Sequence, residues 1–271
     1  MNRTTTIARL ERGVMRRSHP AAVVLAHAMI HQRWGEPELH ELHRLVRPGT
    51  VAVDAGAHFG VYSLALARLV GKRGRVISIE PIEEDAAMLR RAMRALRMPV
   101  SVVTCALSAQ PGEATLRVPL LGGAQKTALA TLQPAAQVSE ASGVEERTVR
   151  VRTLDEILAD VDMPVSFIKI DVEGHELDVL AGAEETLRQH RPNLLIEINE
   201  DLRDGSMCDA FVRIEAYGYR GEFLEEGRFR RPLSAFDPDR HQRRVTNPLS
   251  RSYINNFIFL PEDRFSTVPS S

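Results

Sequence analysis

A chain of 271 residues, 44% hydrophobic and 26% charged, with 17 Gly and 15 Pro, has an ordinary globular balance and enough length to bury a core. Its 35 Lys and Arg against 36 Asp and Glu leave a net charge of −1, so no global positive field draws it to nucleic acid, and 5% aromatic residues make a poor base-stacking surface. Two cysteines, Cys105 and Cys208, exclude a disulfide framework.

At the start of the chain, Arg16 and Arg17 ahead of the apolar run 21–30 imitate a secretory leader, with Ala26-His27-Ala28 as its cleavage site. Glu11 and His27 spoil that pattern, and the run is short of the ~20 residues of a membrane span. The expectation is a reduced, cytoplasmic protein that engages neither membrane nor nucleic acid. Val23, His27, Ile30 and Trp34 share one helical face, so 1–47 reads as a helical cap, closed by Pro48-Gly49. His27/His31 and His40/His43 recur at helical spacing beside His19, but no cysteine or carboxylate set supports a zinc site there.

From Thr50 the period changes. Strands at 51–55, 75–80 and 100–105 alternate with helices at 60–70 and 83–97, the βαβαβ pattern of a parallel sheet covered on both faces. A polar hairpin follows, 113–118 with a return near 147–151, around a Gly-, Ala-, Ser- and Gln-rich segment (121–146) that reads as a mobile loop and a second wall or lid. Thr153-Leu154-Asp155-Glu156 has capping-box spacing. Then come a strand at 165–171, a helix at 175–189 and a strand at 194–198. A helix at 207–216 and strands at 219–224 and 255–260 complete the series, with 228–251 as an Arg-rich surface excursion. The domain organisation is a cap (1–47), an α/β domain (48–262) and a tail (263–271).

Three strand ends carry the chemistry. The first is Asp54-Ala55-Gly56-Ala57-His58-Phe59-Gly60, at the edge where open parallel sheets bind ligands. Its D-x-G-x-x-x-G spacing is not the G-x-G-x-x-G of dinucleotide sites, and its acidic residue suits the ammonium and sulfonium region of S-adenosylmethionine; a plain tight turn is the simpler reading. The second is Ile79-Glu80-Pro81, whose carboxylate is placed to accept both ribose hydroxyls, or else to start a helix in solvent. The third is Lys169-Ile170-Asp171-Val172-Glu173-Gly174-His175-Glu176, in which three charged residues at period two leave an apolar strand. Such charges are paired or used, and a Lys169–Asp171 ion pair is the simpler reading. Glu197 and Asn199 end the neighbouring strand and face the same crevice.

These segments, with Leu180-Ala181-Gly182-Ala183 and Asn256-Phe257-Ile258-Phe259, resemble the FkbM family of S-adenosylmethionine-dependent methyltransferases over roughly 36–260. The resemblance implies the class I methyltransferase fold, an α/β Rossmann-like sheet of seven strands with an antiparallel last strand. It also implies O-methylation of a hydroxyl on a sugar or a secondary metabolite such as a macrolide. By the same comparison Asp54, Gly56 and Gly60 line the methionine end of the cofactor, Glu80 and Pro81 its ribose, and Ala106, Leu107 and Ser108 its adenine, with Asp171 beside the donor. His58 stands where the family usually has Asn.

Candidates for a general base are Asp171, Glu173, His175 and Glu197, with Asp171 first because it closes its strand beside the donor site. His175 has a suitable intrinsic pKa but equally fits an exposed first helical turn. The same side chains offer ligands for Mg²⁺, although nothing in their spacing demands a metal. N-methylation, a nicotinamide oxidoreductase and a non-catalytic binding module are the competing functions, and a homodimer is an open alternative for assembly.

Overall fold

Buried parallel strands have to be apolar on both faces, and β1 (Val51–Ala55), β2 (Arg75–Ile79) and β8 (Val165–Ile170) are the runs that satisfy this. In the computed structural model, which describes residues 36–122, 124–133, 142–200, 207–245 and 250–262 with 20, 22 and 24, they form the centre of an eight-stranded sheet. Its order is β11-β10-β12-β9-β8-β1-β2-β3, where β3 is Val100–Val103, β9 Asn193–Glu197, β10 Tyr219–Glu225, β11 Phe229–Pro232 and β12 Asn256–Pro261. The pairs from β3 through β9 are parallel, whereas β12 runs antiparallel to both β9 and β10. Because the chain leaves β1 toward β2 and returns on its other side at β8, the carboxyl ends of β1 and β8 form a switch-point crevice.

The seven-strand arrangement expected from the sequence is present, with β11 added at one edge. That addition corrects the reading of 228–251 as a surface excursion. Arg230 of β11 bonds Glu41 and Glu222, and behind it Phe236 stacks edge-on against Phe211, Phe223 and Phe257. In the following π-helical turn, Asp239–Arg243, His241 and Gln242 are buried. The Gln242 amide donates to the carbonyls of Ile198 and Ile254 and accepts from the Glu200 N–H, joining the end of β9 to the approach to β12.

Helix α1 (Leu42–Leu45) follows a 3₁₀ turn at Pro37–His40, and Leu42, Leu45 and Val46 are buried beside α2 (Val61–Val70). The Val23, His27, Ile30 and Trp34 face, and His19 and His31, lie outside the described residues. His43 Nδ1 sits 2.7 Å from the His40 carbonyl. Helix α3 (Glu83–Ala95) buries Ala86, Leu89, Ala92 and Met93, and carries three acids in its first turn, where the helix dipole favours them.

Beside the main sheet stands a second one, ordered β4-β7-β5-β6: β4 (Ala106–Leu107), β5 (Gly112–Leu121), β6 (Ala124–Gln125) and β7 (Gly143–Arg152). The hairpin is longer than expected, because the in–out alternation of β7 already runs from Gly143. Helix α4 (Leu154–Leu158) has the expected Thr153/Glu156 capping box. The single helix expected at 175–189 is two, α5 (Glu176–Ala181) and α6 (Glu184–His190). Two contacts explain the break. A Cβ on Gly182 would lie 2.2 Å from the Ser108 carbonyl oxygen, and Asp155 accepts hydrogen bonds from the Glu185 and Thr186 N–H groups, capping α6 from another element. Helix α7 (Met207–Glu215) packs beneath β10. Among the described residues no helix is long and apolar enough to cross a membrane.

Candidate active site

A cavity of about 450 Å³ opens at the carboxyl ends of β1, β2, β8 and β9. Asp54 closes β1 with almost no exposure; its Oδ2 accepts from Ser63 Oγ of α2 at 2.6 Å, and its Oδ1 is buried without a hydrogen-bond partner. Burial pushes this carboxyl up, against the pull of Lys169 and the Ser63 bond. An orphaned buried acceptor in a cavity wall is costly unless a ligand completes it.

The loop after β1 is folded tightly enough to need glycine. Gly56 has φ +79°, and a Cβ there would fall 1.8 Å from the Asp171 carbonyl oxygen, since β1 and the end of β8 are joined by Asp171 N–H to Ala55 O at 3.1 Å. Two residues on, His58 also has a left-handed backbone (φ +43°), which turns its N–H onto Glu80 Oε2 at 2.8 Å. Ile82 N–H donates to Glu80 Oε1 at 2.9 Å. Glu80 is thereby aimed by two backbone donors, one per oxygen, and burial raises its carboxyl to about 8 while those donors pull it down.

A carboxyl raised from 4.5 to about 8 by folding contributes fully below about pH 4.5 and loses that contribution as pH rises through about 8. Glu38, lifted by burial to about 8 in the 37–40 turn, acts in the same sense. The thermal midpoint of the protein alone is therefore expected to fall between about pH 5 and 8, and Glu80→Gln to flatten part of the fall. A wild-type melting profile that stays flat over this range would contradict neutral, buried carboxyls.

An apolar slot adjoins Glu80. Ile79, Pro81, Cys105, Ala106, Leu107 and Leu116 line it, and burial pushes the Cys105 thiol up to about 11. Ser108, expected at the adenine end, is outside this wall; its hydroxyl lies 2.9 Å from His175 Nε2. His175 does line the cavity, with Nδ1 3.3 Å from Asp178 Oδ2, and burial lowers its pKa. Its side chain is 16% exposed, so it is not the exposed first-turn residue that the sequence allowed; it stands in the wall with Nε2 against the Ser108 hydroxyl.

The acidic end of the cavity comes from β8 and β9. Lys169, itself buried, donates to Asp171 Oδ2 at 2.6 Å and sits 4.5 Å from the Tyr62 ring centre. Burial disfavours the Lys169 charge, but Asp171 and Asp54 overcome it and hold the ammonium above its ordinary range. Glu173 has φ +53° in a turn pinned from the roof, where Thr131 Oγ1 donates to its carbonyl at 2.6 Å and Gln133 Nε2 donates to Gly174 O at 2.9 Å. Glu197 Oε1 accepts from Asn199 and Asn255 amides at 3.1 and 2.6 Å. Burial, then the nearby Asp171 charge, pushes both Glu173 and Glu197 well above the usual carboxylate range.

The structure thus brings Asp54, Gly56, His58, Gly60, Glu80, Pro81, Ala106, Leu107, Asp171, Glu173, His175 and Glu197 to one cavity. Sequence reasoning missed Tyr62 and Glu36, which share the wall, and it left the roof, Thr127 to Leu132, inside a mobile loop. The roof is instead fixed at both ends of the site: Thr127 Oγ1 lies 3.1 Å from His58 Nε2, and Thr131 holds the Glu173 turn. Among the described residues, no group of three or more His, Cys, Asp or Glu side chains is placed to hold a metal ion, so the Mg²⁺ alternative gains no support.

A family model described as a methyltransferase FkbM domain matches residues 54–220. The large-subunit ribosomal RNA methyltransferase E of Chromobacterium violaceum is 38% identical over 48 residues, 18% of this chain and 23% of that protein. The chain therefore matches less than a quarter of that relative's length. Among solved structures, the methyltransferase FkbM of Methylobacillus flagellatus is 18% identical with a TM-score of 0.49, covering 95% of this chain and 58% of that one. An O-methyltransferase of Bacillus cereus is 13% identical with a TM-score of 0.47, covering 94% and 96%.

Proposed function

The chain belongs to the FkbM methyltransferase family, and we propose that it transfers a methyl group from S-adenosylmethionine to a hydroxyl of a small acceptor such as a sugar or a secondary metabolite. The observation that carries this reading is the pairing of Glu80 with Asp54 in one cavity. Glu80 is held by two backbone N–H groups with acceptor capacity left for two ribose hydroxyls, and Asp54 Oδ1 is a buried acceptor without a partner. Both fit the donor: the first its ribose, the second its cationic methionine end. The apolar slot of Pro81, Ala106 and Leu107 suits a flat, weakly polar adenine ring.

When bound, the cofactor supplies a methyl already activated by the sulfonium charge. The residues of this chain then have two tasks. Asp54, Glu80 and the Gly56 loop fix the donor against the acceptor, and orientation of this kind contributes on the order of 7–11 kcal/mol. Asp171 accepts the hydroxyl proton: Lys169 immobilises Oδ2, which leaves Oδ1 as the oxygen for the acceptor. Glu173 and Glu197 complete an acidic acceptor end that hydrogen-bonds hydroxyls and repels phosphodiesters, which favours a small polyol over nucleic acid.

Calorimetric titration with S-adenosylmethionine, S-adenosylhomocysteine and NAD is the primary test. Both sulfur nucleosides are expected to bind and NAD is not; absence of affinity for either nucleoside would refute the reading. A mass-spectrometric screen for products heavier by one CH₂ then identifies the acceptor.

A further inference from the structure

The register of the central strands gathers negative charge at one edge. Asp54 of β1 pairs with Lys169 of β8, and Lys169 with Leu195 of β9, so two residues further on Asp171 and Glu197 stand level at the carboxyl edge. Glu173 follows in its left-handed turn, and all of these acids line the same cavity. Lys169 is the one lysine or arginine among the described residues of that wall, and its ammonium is engaged with Asp171. Glu197 Oε1 accepts from two neutral amides, those of Asn199 and Asn255. Around Glu173 stand Asp171, Glu197 and Glu176, and Glu36 adds to the field at Glu197; Lys169 is the charge that opposes at both, joined at Glu197 by the hydrogen bond from Asn199. Two half-buried glutamates thus stand in a surplus of like charge.

We infer that Glu173 and Glu197 hold a proton between them in the ligand-free protein, release it when the donor's cationic sulfur enters, and take up the acceptor's proton when the methyl is transferred. This inference rests on the donor reading above. Burial and repulsion from Asp171 disfavour a second ionised glutamate, and a cation entering the same cavity reverses that preference. In the transfer, an O–C bond forms from an acceptor lone pair, the S–C bond breaks with its electron pair left on sulfur, and the hydroxyl proton passes by way of Asp171 to the glutamates. One positive and one negative charge vanish from a poorly solvated space together, so the cavity's net charge is unchanged by the reaction. The next donor to bind expels the proton again.

S-adenosylmethionine and S-adenosylhomocysteine differ at this charge, whereas Glu80 faces a ribose common to both and drops out of the comparison. Calorimetry of the full chain with each ligand near neutral pH, in phosphate and in Tris, counts the protons released. S-adenosylmethionine is expected to release about half to one proton more than S-adenosylhomocysteine. The excess should shrink in Glu173→Gln and in Glu197→Gln and disappear in the double variant, with binding of S-adenosylhomocysteine as the check on folding. Equal release by the two ligands in the wild type would overturn the inference, as would an excess undiminished in both single variants, which would move the proton to Asp54. Binding of neither ligand would instead overturn the donor reading itself.

Discussion

Gly56→Ala is expected to cost the protein roughly 2–5 kcal/mol and to abolish measurable binding of S-adenosylhomocysteine. Two penalties add. The backbone at φ +79° is one that an L side chain adopts only with strain, and the new Cβ would lie 1.8 Å from the Asp171 carbonyl oxygen, a backbone atom with no rotamer to yield. Relief requires β1 and the end of β8 to move apart, breaking the Asp171 N–H to Ala55 O bond that aligns the two strand ends. Gly49→Ala separates the terms: Gly49 has φ +75° but nothing within 4 Å of its would-be Cβ, so only the conformational penalty of about 1–2 kcal/mol applies there. Urea denaturation of both variants is the measurement. Equal losses would mean that the close approach of β1 and β8 is not what demands glycine at Gly56.

Asp171→Asn is expected to lower turnover by ~10²–10⁴-fold while leaving S-adenosylhomocysteine affinity within about twofold of wild type. The amide keeps the size of the side chain and can still accept from Lys169 through its oxygen, so the position of the group survives and its ability to take a proton does not. Single-turnover rates with the acceptor found by the product screen, beside calorimetry, separate the two effects. Full activity in this variant would remove Asp171 from the proton path and leave Glu173 or Glu197 as the base.

The parallel core was legible because buried strands write themselves as apolar runs, and the site was legible wherever a polar residue ended such a run. Asp54, Glu80, Asp171 and Glu197 all announce themselves this way, and all line the cavity. What escaped depends on partners distant in sequence. The break between α5 and α6 is set by Asp155, thirty and thirty-one positions from the N–H groups it caps, and by a carbonyl at Ser108. The roof at Thr127 to Leu132 has no period of its own, and its order comes from His58, Glu173 and Gly174. The segment after β10 looked solvent-bound because its arginines dominate the composition, while Phe236, His241 and Gln242 provide the inward contacts. Ser108, expected at the adenine end, lies outside the cavity wall with its hydroxyl against His175.

The two thiols of the chain sit in contrasting surroundings, Cys208 exposed and Cys105 buried in the wall of the apolar slot. Alkylation by a maleimide follows thiolate access, so Cys208 labels freely while Cys105 labels only as often as that wall opens. With Cys208 replaced by Ser, the slow labelling rate becomes a native clock for site opening, and its retardation by any candidate molecule reports occupancy without isotopes, fluorophores or knowledge of the product.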